Sequence, residues 1–141
     1  MNLLEALRLK NKTVRMALVG AGGKTSTLFR LGKELALINN PKSKQVWLSA
    51  TTHLSIDQLA YADKHIEIVY PSDFDNYLMK PDFGVILFTG KPVEDGRTAG
   101  VTLAVFNEML HIANANDIPI IIEADGARRL PLKSPADHEP V

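Results

Sequence analysis

The 141-residue sequence contains no cysteine, which excludes disulfides and thiolate-ligated metal within it. It also lacks a dominant charge. Sixteen basic and sixteen acidic residues cancel, so bulk electrostatics give no reason to expect nucleic acid or an anionic membrane as a partner. No apolar run approaches the ~18–20 residues of a spanning helix, so no membrane segment is expected. The start, Met1-Asn2-Leu3-Leu4-Glu5, has no basic flank before a long apolar stretch and does not read as a signal peptide. No repeat, linker or low-complexity segment divides the chain. The remaining make-up, 45% apolar and 23% charged, is that of a single globular domain with a real core, expected in the cytoplasm.

Apolar runs alternate with helix-period segments. Residues 14–19, 45–50, 66–70, 83–88 and 118–122 read as strands, the first of them buried and the third weaker and at an edge. Leu3–Leu9 suggests a short amphipathic helix, and Leu28, Leu31, Leu35 and Ile38 mark one face of a helix over 25–38. A short helix is expected over 55–62. Another starts at Pro71-Ser72-Asp73, with Ser72 as N-cap and Phe74, Tyr77 and Leu78 buried. Leu103, Phe106, Leu110 and Ala113 are in register for a further one, while 94–100 reads as a polar, mobile loop. Continuous apolar strands between amphipathic helices predict an α/β fold. The expected form is a three-layer α/β/α sandwich with a mostly parallel sheet, of the P-loop nucleotide-binding type, as one domain over 1–141. Ligands in such sheets bind outside the carboxyl ends of the strands. Four polar elements are thereby collected on one edge: Gly20–Ser26, Thr51–His53, Thr89–Gly90 and Glu123–Gly126.

The first of these carries the strongest chemical signal. Gly20-Ala21-Gly22-Gly23-Lys24-Thr25-Ser26 lies between an apolar strand and an amphipathic helix, the context of a phosphate-binding loop. Glycines let backbone N–H groups close around phosphate at the positive end of the helix. Lys24 supplies a cation, and the Thr25 hydroxyl suits Mg²⁺. The long form of the motif requires glycine where Leu18 stands, and the shorter G-x-x-G-K-[ST] fits instead. That short form resembles the loop of the Mur ligases, which activate a carboxylate with ATP. The simpler alternative is a glycine-rich turn with a surface lysine.

Glu123 and Asp125 follow an apolar strand, as the acidic residue of a Mg²⁺–nucleotide site does, and either suits metal binding or the orientation of water. His53, after Thr51-Thr52, is a candidate to meet phosphate or substrate. Arg128 and Lys133 are candidate anion ligands, and Arg129 joins them in the same basic run. Asp137-His138-Glu139 offers three metal-ligand types, although adjacent residues rarely all reach one ion. His65 and His111 read as structural.

These blocks together resemble a known family, that of the selenium-dependent hydroxylase accessory proteins called YqeC. The resemblance is carried by Val19–Ser26, Ala50-Thr51-Thr52-His53 and Glu123-Ala124-Asp125-Gly126-Ala127. It extends through Arg129-Leu130-Pro131-Leu132-Lys133-Ser134-Pro135-Ala136 and His138-Glu139-Pro140-Val141, and this proline-punctuated tail is its most specific part. It implies a role in maturing selenium-dependent molybdenum hydroxylases, with a molybdenum cofactor or selenium donor and the hydroxylase itself as partners. It also implies that the chain continues past Val141.

The expected function is therefore an Mg²⁺–nucleotide-dependent step in selenium or molybdenum cofactor assembly or insertion, with ATP or another NTP. On this reading Gly20–Ser26 bind phosphate, Thr25 with Glu123 or Asp125 holds Mg²⁺, and His53, Arg128 and Lys133 meet the second substrate. The alternatives are a nucleotide-gated chaperone, whose Thr51–His53 and Asp95–Gly100 loops reorder, and a ligase resembling the Mur enzymes.

Overall fold

A computed structural model describes residues 2–9, 14–38, 45–79 and 83–124. Five strands form one parallel sheet: β1 (Arg15–Leu18), β2 (Gln45–Ala50), β4 (Lys64–Glu67), β5 (Gly84–Thr89) and β8 (Ile120–Glu123). Their order across the sheet is β1-β8-β2-β5-β4, every neighbouring pair parallel. Three two-residue strands, β3 (Leu54–Ser55), β6 (Pro92–Val93) and β7 (Arg97–Thr98), make a separate antiparallel sheet. The helices are α1 (Leu3–Ala6), α2 (Lys24–Leu37), α3 (Ile56–Leu59), α4 (Asp73–Leu78) and α5 (Leu103–Ala115). The expected parallel α/β architecture is present, and no helix among the described residues is long and apolar enough to cross a membrane.

The layering follows from the two-residue period of a strand. Val46, Leu48 and Ala50 of β2, with Val85, Leu87 and Ile121, face one side and pack against Leu28, Phe29 and Leu31 of α2 and Leu4 of α1. Trp47, Ile86, Phe88, Ile120 and Ile122 face the other side, against Phe74 and Tyr77 of α4 and Val105, Met109 and Ile112 of α5. The fully buried Trp47 ring stacks on Phe74 at 5.8 Å and meets Phe88 edge-on at 4.9 Å. Its indole N–H donates to Gln45 Oε1, which also accepts from the Tyr77 hydroxyl, so the polar atoms of this aromatic cluster are satisfied.

Several expectations are corrected. Strand β1 is not buried: Arg15 and Ala17 are exposed and Met16 and Leu18 half-buried, because β8 is its sole strand neighbour among the described residues. The third strand begins two residues earlier than expected, while its position at an edge of the sheet is the expected one. Ser72 occupies the N-cap position in a helical conformation and caps nothing. The carboxylate of Asp73 instead accepts from the N–H groups of Val69 and Tyr70 at 2.8 and 2.9 Å. These bonds, Tyr70 foremost, hold its pKa below the ordinary aspartate value. Leu78, Leu103 and Ile38 are exposed, each at or beside a helix end where the apolar face has already turned away from the sheet.

The segment read as a mobile loop forms the β6–β7 hairpin. Asp95 and Gly96 both take positive φ, at 63° and 64°, and Asp-Gly is a short-range hairpin signal.

Helix α2 lies close to the sheet at Gly32, where a Cβ would meet the two Leu48 methyls at 3.0 and 3.2 Å and Val85 at 3.3 Å. We expect Gly32→Val to destabilise the domain by about 1–3 kcal/mol through overpacking. The check is a lower urea midpoint at unchanged slope; a midpoint equal to wild type would mean that this contact is not tight.

Candidate functional site

The chain leaves β1 at Leu18 and turns through Val19–Gly23 into α2. Gly22 and Gly23 adopt left-handed φ values of 64° and 71°, a conformation that side chains disfavour, which accounts for glycine at both positions. Gly23 is also the N-cap of α2, and no side chain caps the helix there. The first-turn N–H groups and the positive end of the helix dipole thus face the loop. A Cβ built on Gly20 or Gly23 would meet nothing within 4 Å, so the loop borders open space.

Lys24, the first residue of α2, is 8% exposed. Its ammonium turns back over the loop and donates to the Gly20 carbonyl. Among the described residues this is its single hydrogen-bond partner, and no carboxylate lies within ion-pair distance. One carbonyl satisfies one of the three donors of an ammonium, and a buried cation is costly unless paired.

The next residue bridges to the sheet. The Thr25 hydroxyl donates to Glu123 Oε2 at 2.7 Å, and Glu123 is 6% exposed at the end of β8. Backbone bonds complete the edge. Ala124 N–H donates to the Leu18 carbonyl, Thr51 N–H to the Glu123 carbonyl, and Val101 N–H to the Ala50 carbonyl, each at 2.9 Å. Gly100 lies directly on the Thr51–Thr52 backbone, too close to admit a Cβ. The two loops expected to reorder are thus tied to the sheet and to each other. The Thr52 hydroxyl at this edge is buried without a hydrogen-bond partner among the described residues.

The structure therefore brings Gly20–Ser26 and Glu123 together and seats Thr51 beside them. His53 is exposed and makes no hydrogen bond among the described residues. Asp125, Arg128 and Lys133, with Arg129 and the Asp137-His138-Glu139 tail, lie outside the described residues. His65 has a structural role, as expected. Thr89 gives its hydroxyl proton to the Gly90 carbonyl and so accepts from His65 Nε2 at 2.8 Å. Burial of the imidazole lowers its pKa, outweighing the opposing Glu67 charge.

The donor set fits Mg²⁺. Mg²⁺ takes one or two carboxylates and fills its remaining positions with substrate phosphates and water. A threonine hydroxyl that gives its proton to Glu123 keeps its lone pairs for a cation. Among the described residues no group of three or more His, Asp or Glu is placed to hold an ion by itself.

One feature was not singled out from the sequence. A cavity of about 290 Å³ opens beside the loop, lined by Thr25 and Ser26 at one end and by Phe29, Gln58 and Tyr61 further along. The available signal was Phe29, one helical turn beyond Thr25, but its partners come from α3 and the turn after it.

These features define a parallel α/β domain with a glycine-rich strand–loop–helix at the carboxyl edge of its sheet. The family model described as YqeC protein matches residues 16–141, and the chain belongs to that family. It is 30% identical over 134 residues to a curated relative from Escherichia coli (strain K12), "Uncharacterized protein YqeC". The match covers 93% of this chain and 47% of the relative, so the chain spans about half the length of that protein. No solved structure matches the chain.

The bond between Thr25 and Glu123 yields a direct test. Thr25→Val leaves a buried carboxylate oxygen without its donor and should cost about 1–3 kcal/mol. Glu123→Gln keeps an acceptor for the hydroxyl and should cost less. Urea unfolding of Thr25→Val, of Glu123→Leu, which removes the acceptor, and of the two combined would measure the coupling; additive effects would mean that the pair does not tie α2 to β8.

Proposed function

We propose that the chain binds the phosphates of an Mg²⁺–nucleotide at Gly20–Ser26. We further propose that it uses this site in maturing selenium-dependent molybdenum hydroxylases, at a cofactor assembly or insertion step. The observation that carries the first part is Lys24, a buried residue whose ammonium has, among the described residues, a backbone carbonyl but no carboxylate for company inside a glycine loop. An anion with several oxygens is the chemistry that would satisfy it. Phosphate also suits the uncapped first turn of α2. The short loop would wrap the phosphates with backbone N–H groups, while Lys24 exchanges its carbonyl contact for phosphate oxygen. Thr25 and Glu123 would hold the metal, which when bound neutralises charge on the outer phosphates. Glu123, held by Thr25, would bind the metal directly or through water, or orient an attacking water.

The hydroxylase assignment rests on the family resemblance and is separable from nucleotide binding. Cells lacking the gene should accumulate the molybdenum hydroxylase polypeptide without its labile selenium. Normal selenium content in the enzyme from such cells would remove this part.

Nucleotide binding is tested by thermal unfolding against ATP, GTP and CTP, with and without Mg²⁺. A ligand at ~100 times its dissociation constant adds about 2.7 kcal/mol to the folded state. We expect an Mg²⁺-dependent rise with at least one nucleotide and its loss in Lys24→Ala. A rise that survives in Lys24→Ala, or no rise with any of them, would overturn the reading.

A further inference from the structure

We infer that the cavity between α2 and the α3 turn is the seat of the nucleotide's base, with Tyr61 as the stacking platform. This rests on the phosphate-loop reading and specifies the other end of the same ligand.

The argument begins with helix geometry. Thr25, Ser26, Phe29, Arg30 and Lys33 all line the cavity, and their spacing of i, i+1, i+4, i+5 and i+8 makes them one stripe on α2. From Thr25 to Lys33 that stripe runs about 12 Å, at a rise of ~1.5 Å per residue. It starts at the phosphate loop and leads away from it. A ligand whose phosphates lie on the first turn therefore has its remaining atoms directed along a built groove.

The groove's chemistry is that of a ring site. The Phe29 and Tyr61 rings meet edge-on, with centroids 5.5 Å apart and planes at 68°. Phe29 is 5% exposed and fixed in the core, whereas Tyr61 remains 55% exposed. Tyr61 is thus an aromatic surface braced from behind and open in front. Arg30 is paired with Glu34 at 3.1 Å, so it presents a held guanidinium plane rather than a free charge.

Gln58 adds a polar reader. Its Oε1 accepts from the Ser55 N–H at 3.1 Å in the capping box of α3, which leaves the amide NH₂ as the group to be satisfied. A ring edge facing it must therefore offer an acceptor, as heteroaromatic nitrogens and carbonyls do. At about 290 Å³ the cavity is near the lower end of the ~300–1,000 Å³ of small-molecule sites. That suits a ring and its sugar, with the phosphates lying outside on the loop.

The test compares nucleoside triphosphates with inorganic tripolyphosphate, all with Mg²⁺, by equilibrium binding to the 141-residue chain. Tripolyphosphate engages the loop alone. We expect the preferred nucleotide to bind at least tenfold more tightly than tripolyphosphate, since stacking on one aromatic contributes about that much. Tyr61→Ala should erase this advantage and leave tripolyphosphate affinity unchanged, and Tyr61→Phe should restore it. Tyr61 is largely exposed, so the folded state should tolerate either change, which thermal unfolding without ligand checks. Equal wild-type affinity for nucleotide and tripolyphosphate would overturn the base site while leaving the phosphate loop intact. A nucleotide advantage that persists in Tyr61→Ala would place the base elsewhere. Failure of both ligands to bind would overturn the loop reading, and this inference with it.

Discussion

The hydrogen bond from the Thr25 hydroxyl to Glu123 is the constraint on which the arrangement of the site depends. It joins the first turn of α2 to the end of β8, residues 98 apart in sequence. The close approach of α2 to Leu48 and Val85 at Gly32 fixes the middle of the helix against the sheet. The Thr25–Glu123 bond adds a directional contact at its first turn. Its loss would strand a carboxylate that is almost fully buried. Since Lys24 precedes Thr25 and Gly23 caps the same helix, the pair also decides where the lysine and the loop N–H groups stand relative to the strand end.

The loop hangs from β8 more than from its own strand. Strand β1 is an edge strand, exposed or half-exposed along its length. Beyond its parallel ladder with β8, contacts at both ends hold it. At its start the Arg15 guanidinium donates to the Ile118 carbonyl at 2.6 Å and to Asn114 Oδ1 at 2.9 Å, clasping the connection between α5 and β8. At its end the Ala124 N–H reaches the Leu18 carbonyl. A charged residue on an edge strand also discourages unwanted strand pairing.

How much of this was legible depends on how local each determinant is. The central strands β2, β5 and β8 were readable because burial on both faces demands uninterrupted apolar residues, as in Val46-Trp47-Leu48 and Ile120-Ile121-Ile122. The glycine loop was readable because left-handed backbone at Gly22 and Gly23 has a residue-type signature. Strand β1 reads as buried from sequence because Met16-Ala17-Leu18 is apolar whether or not a layer covers it. Its edge position follows from strand order, which no local window contains. The antiparallel β3–β7–β6 sheet had a local cue in Asp95-Gly96, but its two-residue strands are too short to show alternation. Leu78 and Leu103 fit the helical period and still face solvent, since the period states which residues share a face and not where the covering layer ends.

The same distinction explains the division within the candidate site. Its phosphate-like half is contiguous in sequence, from Gly20 to Ser26, and could be read directly. Glu123 was found because the end of an apolar strand is itself a sequence feature. Gln58 and Tyr61 had no such marker: an ordinary capping-box glutamine and a tyrosine in a turn acquire meaning through the face of α2 opposite them. That face is set by the packing of α2 on the sheet, to which the Thr25–Glu123 bond contributes at the first turn. The proposed phosphate and base subsites meet at Thr25 and Ser26, so a single helix carries both ends of the proposed surface.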